Sequence, residues 1–334
     1  MTDLSTCKTL NDLLTLALPD ADTEVAEAAR TRQSQLTKPP GSLGRLEDLA
    51  VFMAGWRGTE RPRIDRAQAL VFAGNHGICA QGVNPFPQAV TALMVANFEA
   101  GGAAINQLSR VAGAELGVVA LDLDHPTQDF TQGPALSEAE CLAALHRGAA
   151  AVDPRADVII LGEMGIGNST VSAALACAIF GGPPEDWVGR GTGSDAEGKA
   201  LKARVVAEGL ARHAGLAPLA VLAALGGREQ AAICGAVIAA RLARIPVILD
   251  GYICTAAVAP LHGANPSFLD HCLVAHMSAE PGHARICAQI GKTPLLDLGM
   301  ALGEGTGAAL ALGVLRGALA CHNDMKTFAE AGIG

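Results

Sequence analysis

Aromatic residues are scarce in this chain, because Phe, Trp and Tyr together make up only 3% of its 334 residues. Proteins that bind single-stranded nucleic acid stack the bases on aromatic rings and follow the phosphates with a basic groove. The chain also lacks a basic excess, since its formal net charge is −9 at pH 7, whereas phosphate binding needs clustered Lys and Arg. The composition therefore argues against nucleic acid as a partner.

Long hydrophobic runs are missing too, although 50% of the residues are hydrophobic. No stretch of about 18 apolar residues is free of charge and proline, so we expect no transmembrane helix and no membrane partner. The first residues, Met1-Thr2-Asp3-Leu4, carry no basic segment ahead of an apolar one, so we expect no signal peptide. The nine cysteines form no C-x-x-C pair and lie mostly in apolar stretches, which predicts buried free thiols in a reducing cytoplasm.

Several motifs that would identify a nucleotide, metal or hydrolase site do not occur. The chain has no G-x-x-x-x-G-K-[ST] loop, no H-E-x-x-H pair and no G-x-S-x-G turn. His271, His276 and His283 are not spaced as helical metal ligands. From the residues alone we therefore expect no metal site and no cofactor.

The order of apolar segments predicts an α/β fold. Helices are predicted early, over residues 5–18, 23–35 and 46–56. Five short apolar runs rich in β-formers then predict strands over residues 69–73, 117–121, 157–161, 246–249 and 273–275. Helices are predicted between them over residues 88–110, 138–151, 169–180, 196–213, 228–242 and 255–261. Near-continuous apolar strands that alternate with helices are typical of a parallel sheet covered on both faces.

We therefore expect a Rossmann-like parallel sheet flanked by helices, in a large domain over residues 61–305 that carries the active site. Residues 1–60 would form a smaller helical region, joined by C-terminal helices within residues 306–334. Ligands of open α/β sheets bind at the carboxyl ends of the strands. Glycine and polar residues collect at four such ends, namely Gly74-Asn75-His76-Gly77, residues 163–170, Asp250-Gly251 and His276-Met277-Ser278. The sequence predicts a pocket where these loops meet.

Two glycine-rich loops precede predicted helices, and each allows two interpretations. Gly165-Ile166-Gly167-Asn168-Ser169-Thr170 joins a strand to a helix, where free N–H groups and the helix dipole suit a phosphate. An ordinary turn with Asn168 or Ser169 as the N-cap fits as well. Behind the second loop, residues 189–195, Lys199 and Lys202 share one helix face; one of them could neutralise a phosphate, or both could lie on a solvated face.

Two glutamates are candidates for the chemistry. Glu304 stands between apolar runs in Gly303-Glu304-Gly305-Thr306-Gly307, where burial would raise the pKa of its carboxyl into the range of a general base. A charge that caps a helix is the alternative. Glu163 could frame the same pocket and serve chemistry at an anomeric carbon, or it could be a solvated loop carboxylate. His76 follows a predicted strand in Gly74-Asn75-His76-Gly77, and it could have either a functional or a turn-stabilising role.

Taken in chain order, these and neighbouring motifs resemble a known family, the nicotinate-nucleotide–dimethylbenzimidazole phosphoribosyltransferases. A single motif of this kind is weak evidence, whereas the ordered set is specific and extends from about residue 38 to about residue 310. The similar stretches are Lys38-Pro39-Pro40-Gly41-Ser42-Leu43-Gly44-Arg45-Leu46-Glu47, residues 72–88, 162–170, 191–193, 226–227 with 231–240, 246–257, Ser278-Ala279-Glu280-Pro281-Gly282-His283, and residues 295–310.

The resemblance implies a reaction. Phosphoribose would pass from nicotinate mononucleotide to 5,6-dimethylbenzimidazole with inversion at the anomeric carbon, giving nicotinate and the α-ribazole 5′-phosphate of the cobalamin lower ligand. The pyridinium would leave as a neutral ring and no pyrophosphate would leave, so neither an acid nor a magnesium clamp is implied. A cytoplasmic homodimer that takes a benzimidazole or purine-like base is implied as well.

The resemblance also implies roles for individual residues. Glu304 would take the proton from the incoming base, and Glu163 would position the ribose. The residues implied to hold the nucleotide and its phosphate are Gly165, Gly167, Asn168, Gly191, Thr192, Gly193, Lys202 and Ser278. The residues implied to line the base pocket are Asn84, Pro87 and Gln88.

Two positions depart from the family pattern, which leaves the preferred acceptor base open. Asn75 stands where an aspartate is usual, and Gln230 stands where isoleucine or leucine is usual. Two other functions remain as alternatives on the sequence. One is a related nucleotide N-glycosidase that uses Glu163 and Glu304, and the other is a non-catalytic nucleotide-binding protein. The intact Glu304 argues against the second, because a protein that only binds needs no base.

Overall fold

The computed structural model describes residues 4–191 and 193–333. Within them, five strands form a sheet in the order β2-β1-β3-β4-β5, and every neighbouring pair is parallel. The predicted parallel α/β fold is confirmed, and each predicted strand overlaps an observed one. The strands are β1 (Ala67–Ala73), β2 (Ala114–Ala120), β3 (Val158–Met164), β4 (Val247–Leu249) and β5 (Cys272–Val274).

Helices connect the strands and cover both faces of the sheet. The α-helices of the described residues are α1 (Thr23–Gln35), α2 (Arg45–Arg57), α3 (Val90–Glu99), α4 (Ala104–Ala112), α5 (Glu138–Ala150), α6 (Asn168–Phe180), α7 (Ala196–Arg212), α8 (Pro218–Leu225), α9 (Arg228–Leu242), α10 (Tyr252–Ala257), α11 (Ala259–Ala264), α12 (Pro281–Gln289), α13 (Thr306–Asp324) and α14 (Phe328–Ala331). Short 3₁₀ helices span Leu4–Thr6, Leu10–Thr15, Gly77–Gln81, Pro184–Asp186 and Pro266–Leu269. In this part of the chain, no helix has the length and apolar character needed to cross a membrane.

The two central strands end side by side. β1 pairs with β3 from Ala67 opposite Val158 to Ala73 opposite Met164, and it pairs with β2 along its other edge. The other strands therefore extend the sheet on both sides of this pair, with β2 beside β1 and with β4 and then β5 beyond β3. A crevice opens outside the carboxyl ends of the strands at such a reversal of strand order, and ligands bind there.

Each strand contributes side chains to two separate hydrophobic cores. On β1, Leu70 and Phe72 belong to the core built with α5, α6 and α9. Ala69 and Val71 point the other way, into the core built with α2 and α13. Burial on both faces explains why the strands appear in the sequence as continuous apolar runs rather than as alternating ones.

Helix α13 connects the N-terminal helices to the sheet. It packs on β3 and β4 and also on α2, which in turn packs on α1. Arg32 of α1 donates from Nε to the carbonyl of His322 (2.9 Å) and from Nη2 to that of Met325 (3.1 Å). The N- and C-terminal segments thus lie together, while the division into a region over residues 1–60 and a domain over residues 61–305 stays a prediction.

Three helices predicted as continuous are interrupted in the structure, and one of them, over residues 255–261, is divided at Val258 between α10 and α11. The single helix predicted over residues 5–18 is replaced by two 3₁₀ helices, Leu4–Thr6 and Leu10–Thr15. Thr9 caps the second one, and the Asp12 carboxylate completes the capping box by accepting from the Thr9 N–H at 2.9 Å. The helix predicted over residues 88–110 breaks after α3, where Gly101 adopts φ +78°. A left-handed glycine ends a helix because it turns the chain away from the helical path at no steric cost.

Helices α5 and α9 approach each other so closely that glycine is needed where they cross. A Cβ added to Gly148 would lie 1.8 Å from the carbonyl oxygen of Ala232, and one added to Gly235 would lie 1.8 Å from that of Leu145. Both obstacles are backbone atoms, so a methyl group at either position has to push the helices apart.

Replacing Gly235 by alanine is therefore expected to destabilise the protein by about 1–3 kcal/mol, the usual effect of overpacking. Gly313 is the matched control, because it lies exposed on α13 with no atom within 4 Å of an added Cβ. Alanine there should raise stability by up to about 1 kcal/mol, since it is the better helix former. Urea denaturation measures both free energies of unfolding, and an equal effect of the two substitutions would contradict the close helix packing.

Candidate active site

The loops after β1, β3, β4 and β5 meet the first turn of α13 around one pocket of about 250 Å³. Its polar wall brings together residues that are far apart in the sequence. Among them are Glu163, Asn168, Lys202, Ser278 and Glu304. The pocket therefore lies where the strand-end glycine and polar residues predict it.

The loop between β3 and α6 forms the floor of the pocket. Gly165, Gly167 and Asn168 line it, and Gly167 adopts φ +95° as the N-cap of α6. A Cβ at Gly167 would lie 2.8 Å from Cys79 Sγ, so the loop fits closely against the 3₁₀ helix behind it. Neither Asn168 nor Ser169 is the N-cap, because both belong to the helix itself. No side chain caps the helix, so the positive end of its dipole is open to a ligand in the pocket.

The second glycine loop brings a lysine to the pocket. Lys202 is only 3% exposed, and its Nζ lies 3.3 Å from Ser169 Oγ and 3.5 Å from the Gly189 carbonyl. Burial lowers the pKa of its ammonium, against the raising effect of the Glu280 carboxylate. Lys199 lies exposed on α7, outside the pocket wall. Of the two competing lysines, the structure brings Lys202 to the site.

The other residues of this loop are distributed unevenly. Gly191 lines the pocket, and its N–H donates to Glu280 Oε1 at 2.9 Å. Gly193 is exposed and does not line it. Thr192 lies outside the described residues. Asp195 caps α7 by accepting from the N–H of Gly198 at 2.8 Å.

Glu163 is a buried carboxyl rather than a solvated one. It is 6% exposed, and its Oε2 accepts a hydrogen bond from the Asn168 side-chain amide. Burial raises its pKa to about 8, with further raising effects from Asp250, Glu229 and Glu304 and a lowering effect from Asn168. At neutral pH the Glu163 carboxyl is therefore mainly protonated and can donate a hydrogen bond.

Glu304 projects into the same pocket from a tight turn. Its φ is +63°, between Gly303 at +89° and Gly305 at +90°, and the residue is 7% exposed. Burial raises the pKa of its carboxyl, a backbone hydrogen bond from Ile105 lowers it, and the Asp250 carboxylate raises it. Oε2 has no hydrogen-bond partner among the described residues. Glu304 makes no helix-capping hydrogen bond, so of its two interpretations the geometry supports the general base.

Asp250 does the capping instead, and sequence reasoning assigned it no role. The side chain follows β4 and is fully buried. Oδ2 accepts from the N–H of Gly305 at 3.0 Å, and Oδ1 accepts from that of Ala308 at 2.9 Å. Burial raises its pKa to about 7. His276, after β5, lies beside it, with Nε2 at 3.6 Å from Oδ1. The only signal in the sequence was their position at two strand ends.

Ser278 and a second buried histidine form a rigid wall. The Ser278 N–H donates to His283 Nδ1 at 2.8 Å, so the ring proton resides on Nε2, which lies 3.2 Å from Thr255 Oγ1. Burial lowers the pKa of His283 to about 3. The imidazole is therefore neutral and structural. Within residues 4–191 and 193–333, no cluster of three His, Cys, Asp or Glu side chains is arranged to hold a metal ion.

His76 lies beneath the floor rather than in the pocket. It is fully buried, with Nε2 3.1 Å from Glu229 Oε1. A Cβ at Gly165 would lie 2.9 Å from that same nitrogen. The pair thus supports the loop from below, which agrees with the turn-stabilising interpretation of His76. Glu229 was not identified from the sequence.

The remaining wall of the pocket is apolar. Val90, Met94 and Leu302 line it together with Phe86 and Asn84. Asn84 Nδ2 donates to the Phe86 carbonyl at 2.6 Å.

The other two residues expected at the base pocket lie elsewhere. Gln88 Nε2 donates to the His76 carbonyl at 2.7 Å, and Pro87 is exposed. The structure brings neither into the pocket wall, and their roles stay predictions.

Comparison with known proteins shows one family that matches nearly the whole chain. A family model described as phosphoribosyltransferase matches residues 18–333. The nicotinate-nucleotide–dimethylbenzimidazole phosphoribosyltransferase of Rhodobacter capsulatus is 65% identical over 324 residues, which cover 96% of this chain and 97% of the relative. The enzyme of the same name from Roseobacter denitrificans is 60% identical over 330 residues, 98% of each chain. The crystal structure of CobT from Thermus thermophilus has a TM-score of 0.87 at 42% identity, covering 93% of this chain and 99% of that one. The chain therefore belongs to the nicotinate-nucleotide–dimethylbenzimidazole phosphoribosyltransferase family.

Proposed function

We propose that this protein transfers the phosphoribosyl group of nicotinate mononucleotide to 5,6-dimethylbenzimidazole. The products are nicotinate and α-ribazole 5′-phosphate, the nucleotide of the cobalamin lower ligand. The observation that carries the proposal is the buried Glu304 carboxylate, whose Oε2 is unpartnered in the described part of the chain, in the same pocket as Lys202 and the N-terminus of α6. A proton acceptor and a phosphate site in one pocket are what this reaction requires.

Lys202 and the first turn of α6 suit the 5′-phosphate. Lys202 has no ion-pair partner among the described residues, although it is buried. A phosphate dianion beside it would favour the charged ammonium that burial disfavours. The dipole of α6, whose N-terminus carries no side-chain cap, adds to the attraction for an anion.

Glu163 and Asn168 suit the ribose. Because the pKa of Glu163 is about 8, its neutral carboxyl can donate to a ribose hydroxyl, while the Asn168 amide holds its other oxygen. The proposed reacting carbon would then lie between this pair and Glu304. Positive charge that develops there during substitution would be stabilised by the Glu304 carboxylate.

The chemical step is a substitution at the anomeric carbon. The bond to the nicotinate nitrogen breaks, and its electron pair neutralises the pyridinium ring. A benzimidazole nitrogen attacks from the opposite face, forming the new C–N bond and changing β to α configuration. The N–H proton of the incoming base passes to Glu304 and then to solvent. The chain supplies a base, two binding groups and an apolar wall for the flat acceptor ring.

We also propose that the enzyme acts as a cytoplasmic homodimer. Phe86 and Leu302 at the pocket mouth are 48% and 59% exposed, and large exposed apolar side chains often mark a contact surface. Light scattering during gel filtration measures the mass that decides between monomer and dimer.

The purified protein is expected to form α-ribazole 5′-phosphate from the two substrates, including in the presence of EDTA. Glu304→Gln should lower kcat by about 10²- to 10⁴-fold, because it removes the proton acceptor, while the Kd of nicotinate mononucleotide changes little. Liquid chromatography of the products and calorimetry measure the two quantities. Full turnover in Glu304→Gln would contradict the base role, and nicotinate release that needs no benzimidazole would indicate an N-glycosidase instead.

The kcat of the wild-type enzyme is expected to fall both at low pH, the acid limb, and at high pH, the alkaline limb. As pH falls through the raised pKa of Glu304, the base becomes protonated and activity is lost. As pH rises through the pKa of Glu163, about 8, the hydrogen bond to ribose is lost and activity declines again. In Glu163→Gln the alkaline limb should disappear, because an amide does not ionise. An unchanged alkaline limb in that variant would contradict the protonated state of Glu163.

Lys202→Met is expected to raise the KM for nicotinate mononucleotide by about 10- to 100-fold, the value of a charge-assisted hydrogen bond. Lys199→Met is the matched control, since Lys199 occupies the exposed face of the same helix, and its KM should stay within about twofold of the wild type. Initial-rate kinetics measure both variants. A larger effect of Lys199→Met would reverse the assignment of the phosphate-binding lysine.

A further inference from the structure

Both carboxylate oxygens of Asp250 accept hydrogen bonds from the backbone that directly follows Glu304. Oδ2 accepts from the N–H of Gly305, directly after Glu304, at 3.0 Å. Oδ1 accepts from the N–H of Ala308, in the first turn of α13, at 2.9 Å. These contacts connect the end of β4 to a turn that lies 55 and 58 residues further along the chain.

The turn depends on such support. Gly303, Glu304 and Gly305 all have positive φ, at +89°, +63° and +90°. A glutamate rarely adopts this conformation, which persists only where the surroundings determine it. Two observed neighbours do so, namely Asp250 and the backbone of Gly162, where an added Cβ would lie 2.4 Å from the Glu304 carbonyl group.

Asp250 also sets the charge around Glu304. The charged and titratable groups near it come from four other elements: Glu163 on β3, Cys254 on α10, His276 after β5 and Glu304 before α13. The Asp250 carboxylate raises the pKa of Glu304, so it opposes ionisation of the proposed base and makes that base a stronger proton acceptor.

We propose that Asp250 is the positioning residue for Glu304, the anchor from strand β4 that fixes the left-handed turn so that the carboxylate of Glu304 faces the acceptor base. This inference rests on the proposed function, because it assigns Asp250 an effect on turnover that acts through Glu304. Removing the anchor should leave the phosphate site intact, because the two sites use different hydrogen bonds. Lys202 donates to Ser169 and to the Gly189 carbonyl, whereas Asp250 accepts from the N–H groups of Gly305 and Ala308.

Asp250→Asn tests the anchor with a side chain of the same shape. One of its two hydrogen-bond acceptors becomes an NH₂ group that opposes a backbone N–H, so one of the two bonds is lost. We expect kcat to fall by about 10²-fold, the effect of a small misplacement of a reacting group, with the KM for nicotinate mononucleotide within about threefold.

Asp157→Asn is the control at the opposite, amino ends of the strands, where Asp157 directly precedes β3 and also pairs with Arg57. Its carboxylate also accepts from two backbone N–H groups, those of Asp65 and Arg66, both at 2.9 Å. Thermal melting should show that both asparagine variants lose stability, whereas only Asp250→Asn should lose turnover. If Asp250→Asn does not fold, Asp250→Ser replaces it with the same expectation, since the shorter hydroxyl can accept only one of the two bonds.

The double variant Asp250→Asn/Glu304→Gln separates the two proposals. If Asp250 acts through Glu304, the double variant should turn over as slowly as Glu304→Gln alone, because effects on one shared interaction are not additive. Normal turnover in Asp250→Asn, or effects that multiply in the double variant, would overturn the anchor and leave the base role intact. Normal turnover in Glu304→Gln would overturn the base role and the anchor together.

Discussion

The hydrogen-bonded pairing of β1 with β3 determines where every functional side chain lies. The two strands run in register along their whole length and end together at Ala73 and Met164. Because the strand order reverses between them, the loops that follow diverge to opposite faces and leave the crevice open. The glycine loop of β3, the support from His76 below it and the turn of Glu304 beside it all take their positions from these two strand ends.

Burial then gives the pocket its chemical character. Away from water, the pKa values of Glu163, Asp250 and Glu304 rise and that of Lys202 falls, so each group moves toward its neutral form. Nicotinate mononucleotide carries a phosphate dianion and a pyridinium cation. The dianion would favour the charged form of Lys202, and the cation would favour the charged forms of the carboxyl groups. Binding and the protonation states of the site are therefore coupled, which is common where acids and bases have been brought close together.

The sequence was informative about the sheet and about which loops meet, because apolar runs and strand-end glycines are local signals. It could not choose between Lys199 and Lys202, which stand three residues apart on α7, because the choice depends on how α7 is rotated toward the loop before it. The contact of Gln88 was also out of reach of the sequence, since its amide donates to the His76 carbonyl. The use of Asp250 depends on N–H groups that reach it only after folding, and no spacing in the sequence reports such a contact.

Gly162 has a consequence beyond the strand that contains it. The backbone of the Glu304 turn lies directly against β3 at this residue, in the space where any other amino acid would carry a carbon atom. The depth of the Glu304 carboxylate in the pocket is thus set by the lack of a side chain in β3. To enlarge or reduce the space for the acceptor ring from this side, a substitution would have to begin in the sheet and not in the turn that bears the acid.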